Sequence, residues 1–102
     1  MPYYARKHQL NTSLIYHVLN RGNRREAVFN RREDYLYFVK LLKEYNARFN
    51  IKLYHWVLMP NHYHLLVKQK SPNGIDKFMN SLGIRQTMFF NKKYDRVGPL
   101  FQ

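Results

Sequence analysis

Two apolar runs, IKLYHWVLM at 51–59 and HYHLLVKQ at 62–69, are separated by only Pro60 and Asn61. A connection that short between strand-like runs is a tight turn, and it forces an antiparallel hairpin. Successive side chains on a strand alternate between faces, so Tyr63, Leu65 and Val67 share one face and His62 and His64 the other. The first set needs a cover of helices. The second is left to chemistry or to solvent.

The helices are legible on either side of the hairpin. NRREDYLYFVKLLKEYNARFN carries Tyr35, Phe38, Val39, Leu42, Tyr45 and Phe49 at spacings of three and four, a single apolar stripe. Asn30 is its expected cap, Glu33 the partner in a capping box, and Asp34 suits the positive helix end. GIDKFMNSLGIRQTMFFNKKY reads as a second helix, with Asn73 as cap and Asp76 in its first turn. Ile75, Phe78, Met79, Leu82 and Phe89 would face the core. Upstream, SLIYHVLNRG reads as a strand with Leu14, Tyr16 and Val18 on one face, broken by Gly22.

The order is therefore β-α-β-β-α, which predicts an α+β, ferredoxin-like sandwich: an antiparallel sheet with two helices on one face. A chain of 102 residues has room for one domain, spanning 1–102. A ferredoxin-like sheet needs one more strand after the second helix, and GPLFQ resembles its first residues. The expectation is that the original C-terminal segment is missing.

Eighteen Lys and Arg against six Asp and Glu give a net charge of +12. A surplus of that size repels itself in the compact state and fits an anionic partner, nucleic acid first. A membrane is disfavoured, because no apolar run approaches the roughly 20 residues that span a bilayer. MPYYARKHQL has no apolar stretch of the kind a secretory signal needs. With no cysteine, a reducing cytoplasm suits the chain, and any metal site must use His, carboxylate, amide or water ligands.

His62 and His64 lie roughly 7 Å apart along one strand face and could converge on one ion. Two ligands do not define a site, and short H-x-H pairs arise by chance among five histidines. On spacing alone the pair is either a metal site or decoration on a hairpin.

The wider string LMPNHYHLLV resembles the HUH motif (His, bulky hydrophobe, His) of single-tyrosine transposases, especially the REP-associated tyrosine transposase branch. YHVLNRGNRREAVF is similar to that family's opening strand and turn, and FNKKYDRVGPLFQ to the stretch joining its second helix to the next strand. Together these run from about Leu14 to the end of the chain. The resemblance implies a cytoplasmic, nucleoid-associated prokaryotic protein acting on single-stranded DNA, often hairpins near repeat ends, and able to form a homodimer. It implies that His62 and His64, with a third polar ligand, hold Mg²⁺ or Mn²⁺ on the scissile phosphate. A tyrosine would then attack phosphorus, leaving a 5′-phosphotyrosine link and a free 3′-OH.

In one respect the chain departs from that pattern. The family's nucleophilic tyrosine, and an amide side chain that completes the metal site, come from a helix after the last strand. Neither can be carried over onto this sequence, so the nucleophile is expected beyond Gln102. Gln86 and Tyr94 lie in the preceding helix region and do not match that catalytic segment. The expectation is a domain that binds DNA and does not cut it alone.

Asn20, Arg21, Asn23, Arg24 and Arg25 cluster after the first strand, where arginines can grip phosphates while amides read base edges. Lys92, Lys93 and Arg96 form another basic group, and Arg6, Lys7 and His8 a third. Trp56 fits the core better than a stacking platform, and the face of His55 depends on the hairpin register. A non-catalytic RNA-binding module of the ferredoxin-like kind suits the same element order and charge, but the glycine-aromatic strand motif of such modules is absent. A metalloenzyme using a hydrolytic water lacks an evident base, since all six carboxylates lie outside the hairpin.

Overall fold

The computed structural model describes residues 10–102; the basic group Arg6, Lys7 and His8 lies outside them, as do Tyr3 and Tyr4. The elements run β1 (Tyr16–Arg21), a short 3-10 turn (Asn23–Arg25), α1 (Arg32–Arg48), β2 (Ile51–Met59), β3 (His62–Gln69) and α2 (Gly74–Lys93). The strands form one antiparallel sheet in the order β1-β3-β2. The fold is α+β, with the sheet and two helices of a ferredoxin-like sandwich. Beyond α2, Phe101 bridges antiparallel to Gly22, and the Gln102 amide donates to the Arg21 carbonyl at 2.9 Å. The last three residues of GPLFQ thus pair with the chain at and just beyond the end of β1.

One face of the sheet is packed and the other is open. Val18, Tyr63, Leu65 and Val67 are buried under the helices with Phe38, Leu41, Leu42 and Tyr45 of α1 and Ile75, Phe78, Met79 and Leu82 of α2. An aromatic chain ties the layers: Phe29 to Phe38 at 5.4 Å, Phe38 to Tyr63 at 4.6 Å, and Tyr63 to Phe101 at 5.8 Å. Phe89, expected in this core, is only half-buried and stacks on Tyr37 at 3.9 Å. Phe90 takes the inner place, next to a buried Gln86 whose amide nitrogen donates to the Val28 carbonyl at 2.8 Å. Leu14 is exposed ahead of β1, because pairing with β3 begins only at Tyr16 opposite Val67.

The helix starts differ from the local expectation. Residue Arg31, not Asn30, occupies the cap position of α1, and Asp34 replaces Glu33 as the residue that reaches back. One Asp34 carboxylate oxygen accepts from the amides of Asn30 at 2.8 Å and Arg31 at 3.0 Å. It also accepts from the Tyr94 hydroxyl at 2.6 Å, while the other oxygen takes the Lys93 ammonium at 2.6 Å. Asp34 is wholly buried. Burial raises its carboxyl pKa, but the hydrogen bonds from Lys93, Tyr94 and the two amides together outweigh it and hold it below the usual value. Asn73 precedes α2 with φ 63° and makes no side-chain cap bond. Gln69 does that work: its carbonyl oxygen accepts from the Ile75 amide at 3.0 Å, and its nitrogen donates to the Leu10 carbonyl at 2.8 Å.

Candidate metal and nucleic-acid site

The register decides which side chains share the open face. Leu19 lies opposite His64 and Arg21 opposite His62, while Val57 and Met59 flank the same two histidines from β2. His17 and His55 both oppose Leu66, so they join this face as well. For His55 a bulge is responsible: the register slips at Tyr54, and without that extra residue His55 would share the packed face of Leu53. Trp56 falls on the helix side, at the rim beside Val39, Leu42 and Leu53, and remains 45% exposed. It is neither a core residue nor a neighbour of the histidine pair.

His62 and His64 are set edge to face with ring centroids 5.0 Å apart. Asn61 holds the first ring: His62 Nδ1 lies 2.7 Å from Asn61 Oδ1, and Asn61 Nδ2 donates to the Arg25 carbonyl at 3.3 Å. A carbonyl can only accept, so the amide nitrogen must face Arg25 and the oxygen must face the ring. His62 therefore carries a proton on Nδ1, and in the neutral tautomer this selects, Nε2 is the lone-pair nitrogen. Burial, then the nearby His17 and His62, push the His64 pKa below the ordinary imidazole value, which favours the neutral ring.

These rings border a cleft of about 330 Å³ lined by Leu19, Arg21, Arg25, Asn61, His62 and His64. The clamp around it is firm. Gly22 donates its amide to the Asn61 carbonyl at 2.8 Å, and Val28 and Phe29 donate to the Pro60 carbonyl at 2.8 and 3.1 Å. The hairpin tip is thereby stitched to the loop that carries the arginines. Arg24 and Arg25 both adopt left-handed backbone, at φ 55° and 61°. Consecutive non-glycine residues in that region cost about 1 kcal/mol or more each, and such strain gathers at ligand clamps.

Imidazole nitrogens beside two guanidinium groups are chemically suited to a divalent ion bound with a phosphate. Among the described residues, no group of three or more His, Asp or Glu side chains is arranged to hold an ion. To hold such an ion, His62 and His64 would need further coordination from a bound phosphate, water or another segment.

The other sequence-predicted residues divide clearly. Arg21 and Arg25 reach the cleft, and Arg24 is exposed beside it. Asn23 is half-buried, its backbone N–H donating to the Leu100 carbonyl at 2.7 Å. Asn20, expected to read base edges, turns instead to the packed face, where it is 6% exposed and donates to the Tyr63 hydroxyl at 3.3 Å. Lys93 is engaged by Asp34, and Arg96 bonds the Asn91 side chain and the Pro99 carbonyl, so both brace the end of α2. Lys92 is exposed.

No described tyrosine lines the cleft. Tyr63 faces the core, and burial pushes its phenol pKa far up, which disfavours the phenolate. The hydroxyl of Tyr94 is bound to Asp34. Sequence reasoning overlooked His17, whose Nε2 lies 2.7 Å from His64 Nδ1 with the two rings parallel. Its signal was available in the alternation of β1, which sets it opposite to Tyr16 and Val18.

Compared with known families, the chain matches the one described as "Transposase IS200 like" over residues 11–101. No curated protein matches the chain.

Proposed function

The chain belongs to the IS200-like transposase family, and from that premise we propose that it binds single-stranded, hairpin-forming DNA across the open face of its sheet. DNA transposition is the process the family serves. The observation that carries the finer reading is the cleft itself, where His62 and His64 stand beside Arg21 and Arg25. In this reading the two imidazoles hold Mg²⁺ or Mn²⁺. When bound, such an ion would neutralise charge on a scissile phosphate.

The chain's own residues do the rest. Arg21 and Arg25 hold the phosphate from the β1 side, and Arg24 takes a neighbouring one. Asn61 keeps the His62 proton on Nδ1. Leu19, Val57, Met59 and Leu66 are each 38–46% exposed on this face and offer apolar surface to sugars and bases. Lys92, exposed at the end of α2, adds to the positive field that draws DNA in, whereas Lys93 and Arg96 act through the fold. No helix among the described residues is long and apolar enough to cross a membrane.

The described tyrosines all lie outside the cleft, so these residues supply recognition and the histidine pair. In this reading the attacking tyrosine comes from a segment other than these residues, and a homodimer of the chain would add DNA-binding surface without supplying it. Incubation with pooled single-stranded hairpin DNA and Mn²⁺, followed by a binding assay and a denaturing gel, tests the assignment. Binding that weakens with salt, and no covalent adduct, is expected. An adduct abolished by His62→Ala or His64→Ala would place the nucleophile within these residues. Absence of binding to any single strand would overturn the reading.

A further inference from the structure

We propose that His17 is a positioning residue for the metal site: its Nε2 accepts the Nδ1 proton of His64 and leaves His64 Nε2 as the lone-pair nitrogen. This inference rests on the reading of the cleft as a divalent-ion site and assigns a role to a residue outside the histidine pair.

A neutral imidazole has one N–H donor and one acceptor, so the 2.7 Å contact between His17 Nε2 and His64 Nδ1 admits two directions. If His17 donated, the His64 proton would sit on Nε2 and only the nitrogen already bonded to His17 would carry a lone pair. Donation from His64 is the direction that leaves a free ligand atom. It also gives His64 the arrangement that Asn61 imposes on His62, where Nδ1–H is held by an acceptor. The two histidines then present equivalent nitrogens, each backed by one acceptor.

His17 is poorly placed to be a ligand through the same nitrogen. Two nitrogens sharing one ion at about 2.1 Å each sit roughly 3 Å apart or more, and these two are at 2.7 Å. His17 also does not line the cleft that His64 borders. Its ring lies parallel to that of His64, 9° between planes and 4.9 Å between centroids, which fixes the rotation of His64 as well as its proton.

Two variants separate the parts of this role. His17→Phe keeps an aromatic ring at this position and removes the acceptor. His17→Gln keeps an acceptor and removes the ring. The readouts are Mn²⁺ affinity, measured from the free-ion electron paramagnetic resonance signal, and the His64 tautomer, read from imidazole ¹⁵N shifts in metal-free and Mg²⁺-saturated protein. His17→Phe is expected to weaken Mn²⁺ binding about 10- to 100-fold, as loss of outer-shell partners does. His17→Gln is expected to stay within a few-fold of wild type. In wild type the His64 proton resides on Nδ1, and in His17→Phe that preference is lost.

Equal loss in both variants would overturn the proposal, because an acceptor alone would then not serve. A wild-type His64 protonated on Nε2 would overturn it directly, whatever the metal result. If wild type bound no Mn²⁺ or Mg²⁺ while the metal-free tautomers behaved as described, the metal reading would fail and the positioning of His64 would stand.

Discussion

Gly22→Ala should disable the loop that grips the cleft, although nothing in its backbone requires glycine. Gly22 sits at φ −58° and ψ 141°, a conformation open to any residue. The obstacle is space. A Cβ there would lie 2.0 Å from the Glu26 carbonyl oxygen and 3.1 Å from both the Glu26 carbonyl carbon and Val28 Cγ1. Even a close C–H···O approach is about 3.3 Å, so the backbone must retreat by more than an ångström. The retreat pulls directly on the bonds that close the turn, Arg25 N to Gly22 O at 2.9 Å and Glu26 N to Asn23 O at 3.0 Å. It also pulls on the 2.8 Å bond from the Gly22 amide to the Asn61 carbonyl. Losing two or three of these at about 1 kcal/mol each gives a destabilisation of about 2–3 kcal/mol. For a domain of this size that corresponds to a fall in Tm of about 10 °C or more. Urea and thermal denaturation followed by circular dichroism would measure it. Gly98→Ala is the control: φ is +90° with nothing within 4 Å of the added Cβ, so only backbone strain acts, at about 1 kcal/mol. A Gly22→Ala protein within about 0.5 kcal/mol of wild type would refute the close-approach reasoning.

Other expectations follow from charged groups. Asp34 has a lowered pKa in the fold, so its stabilisation is complete above the unfolded value near pH 4 and is lost as pH falls through the folded value. Asp34→Asn should flatten that acid limb and lower stability at pH 7 by about 3 kcal/mol, measured by denaturation across pH 2–7. In single-stranded DNA binding, Arg21→Ala should reduce the slope of log affinity against log salt by about 0.7. Lys93→Ala should leave that slope unchanged while lowering the Tm, because its ammonium is held by buried Asp34. Equal slope changes in the two variants would contradict the division between cleft and bracing cations.

Much of this layout is legible in the chain, and the misses have physical causes. The two-residue turn and the parity of β3 place His62 and His64 opposite to Tyr63, Leu65 and Val67 without any tertiary information. The stripe from Tyr35 to Phe49 does the same for α1. Asn20 shares the parity of Val18, so its burial could have been read from β1; the basic loop that follows drew it toward the wrong face. The bulge at Tyr54 is marked by no glycine or proline, so the face of His55 was open until the register was known. The caps depend on partners far off in sequence or on tertiary packing. Asp34 is fixed by Lys93 and Tyr94, some 59 and 60 residues away, and Gln69 replaces Asn73 because it can also reach Leu10. His17 belongs to no local motif, and only the strand pairing of Leu19 with His64 brings its ring alongside.

In the proposed function a divalent ion binds on the open face of the sheet at His62 and His64. Titration of ¹⁵N- and methyl-labelled protein with Mn²⁺ tests its location directly, since the paramagnetic ion broadens nearby signals with steep distance dependence. Loss is expected first at His62 and His64, then at Leu19 and Arg21, with Leu41 and Leu82 on the far side of the sheet persisting. His62→Ala and His64→Ala should each abolish that pattern. Broadening centred on Glu33, Glu44 or Asp95, or spread evenly over the protein, would contradict it.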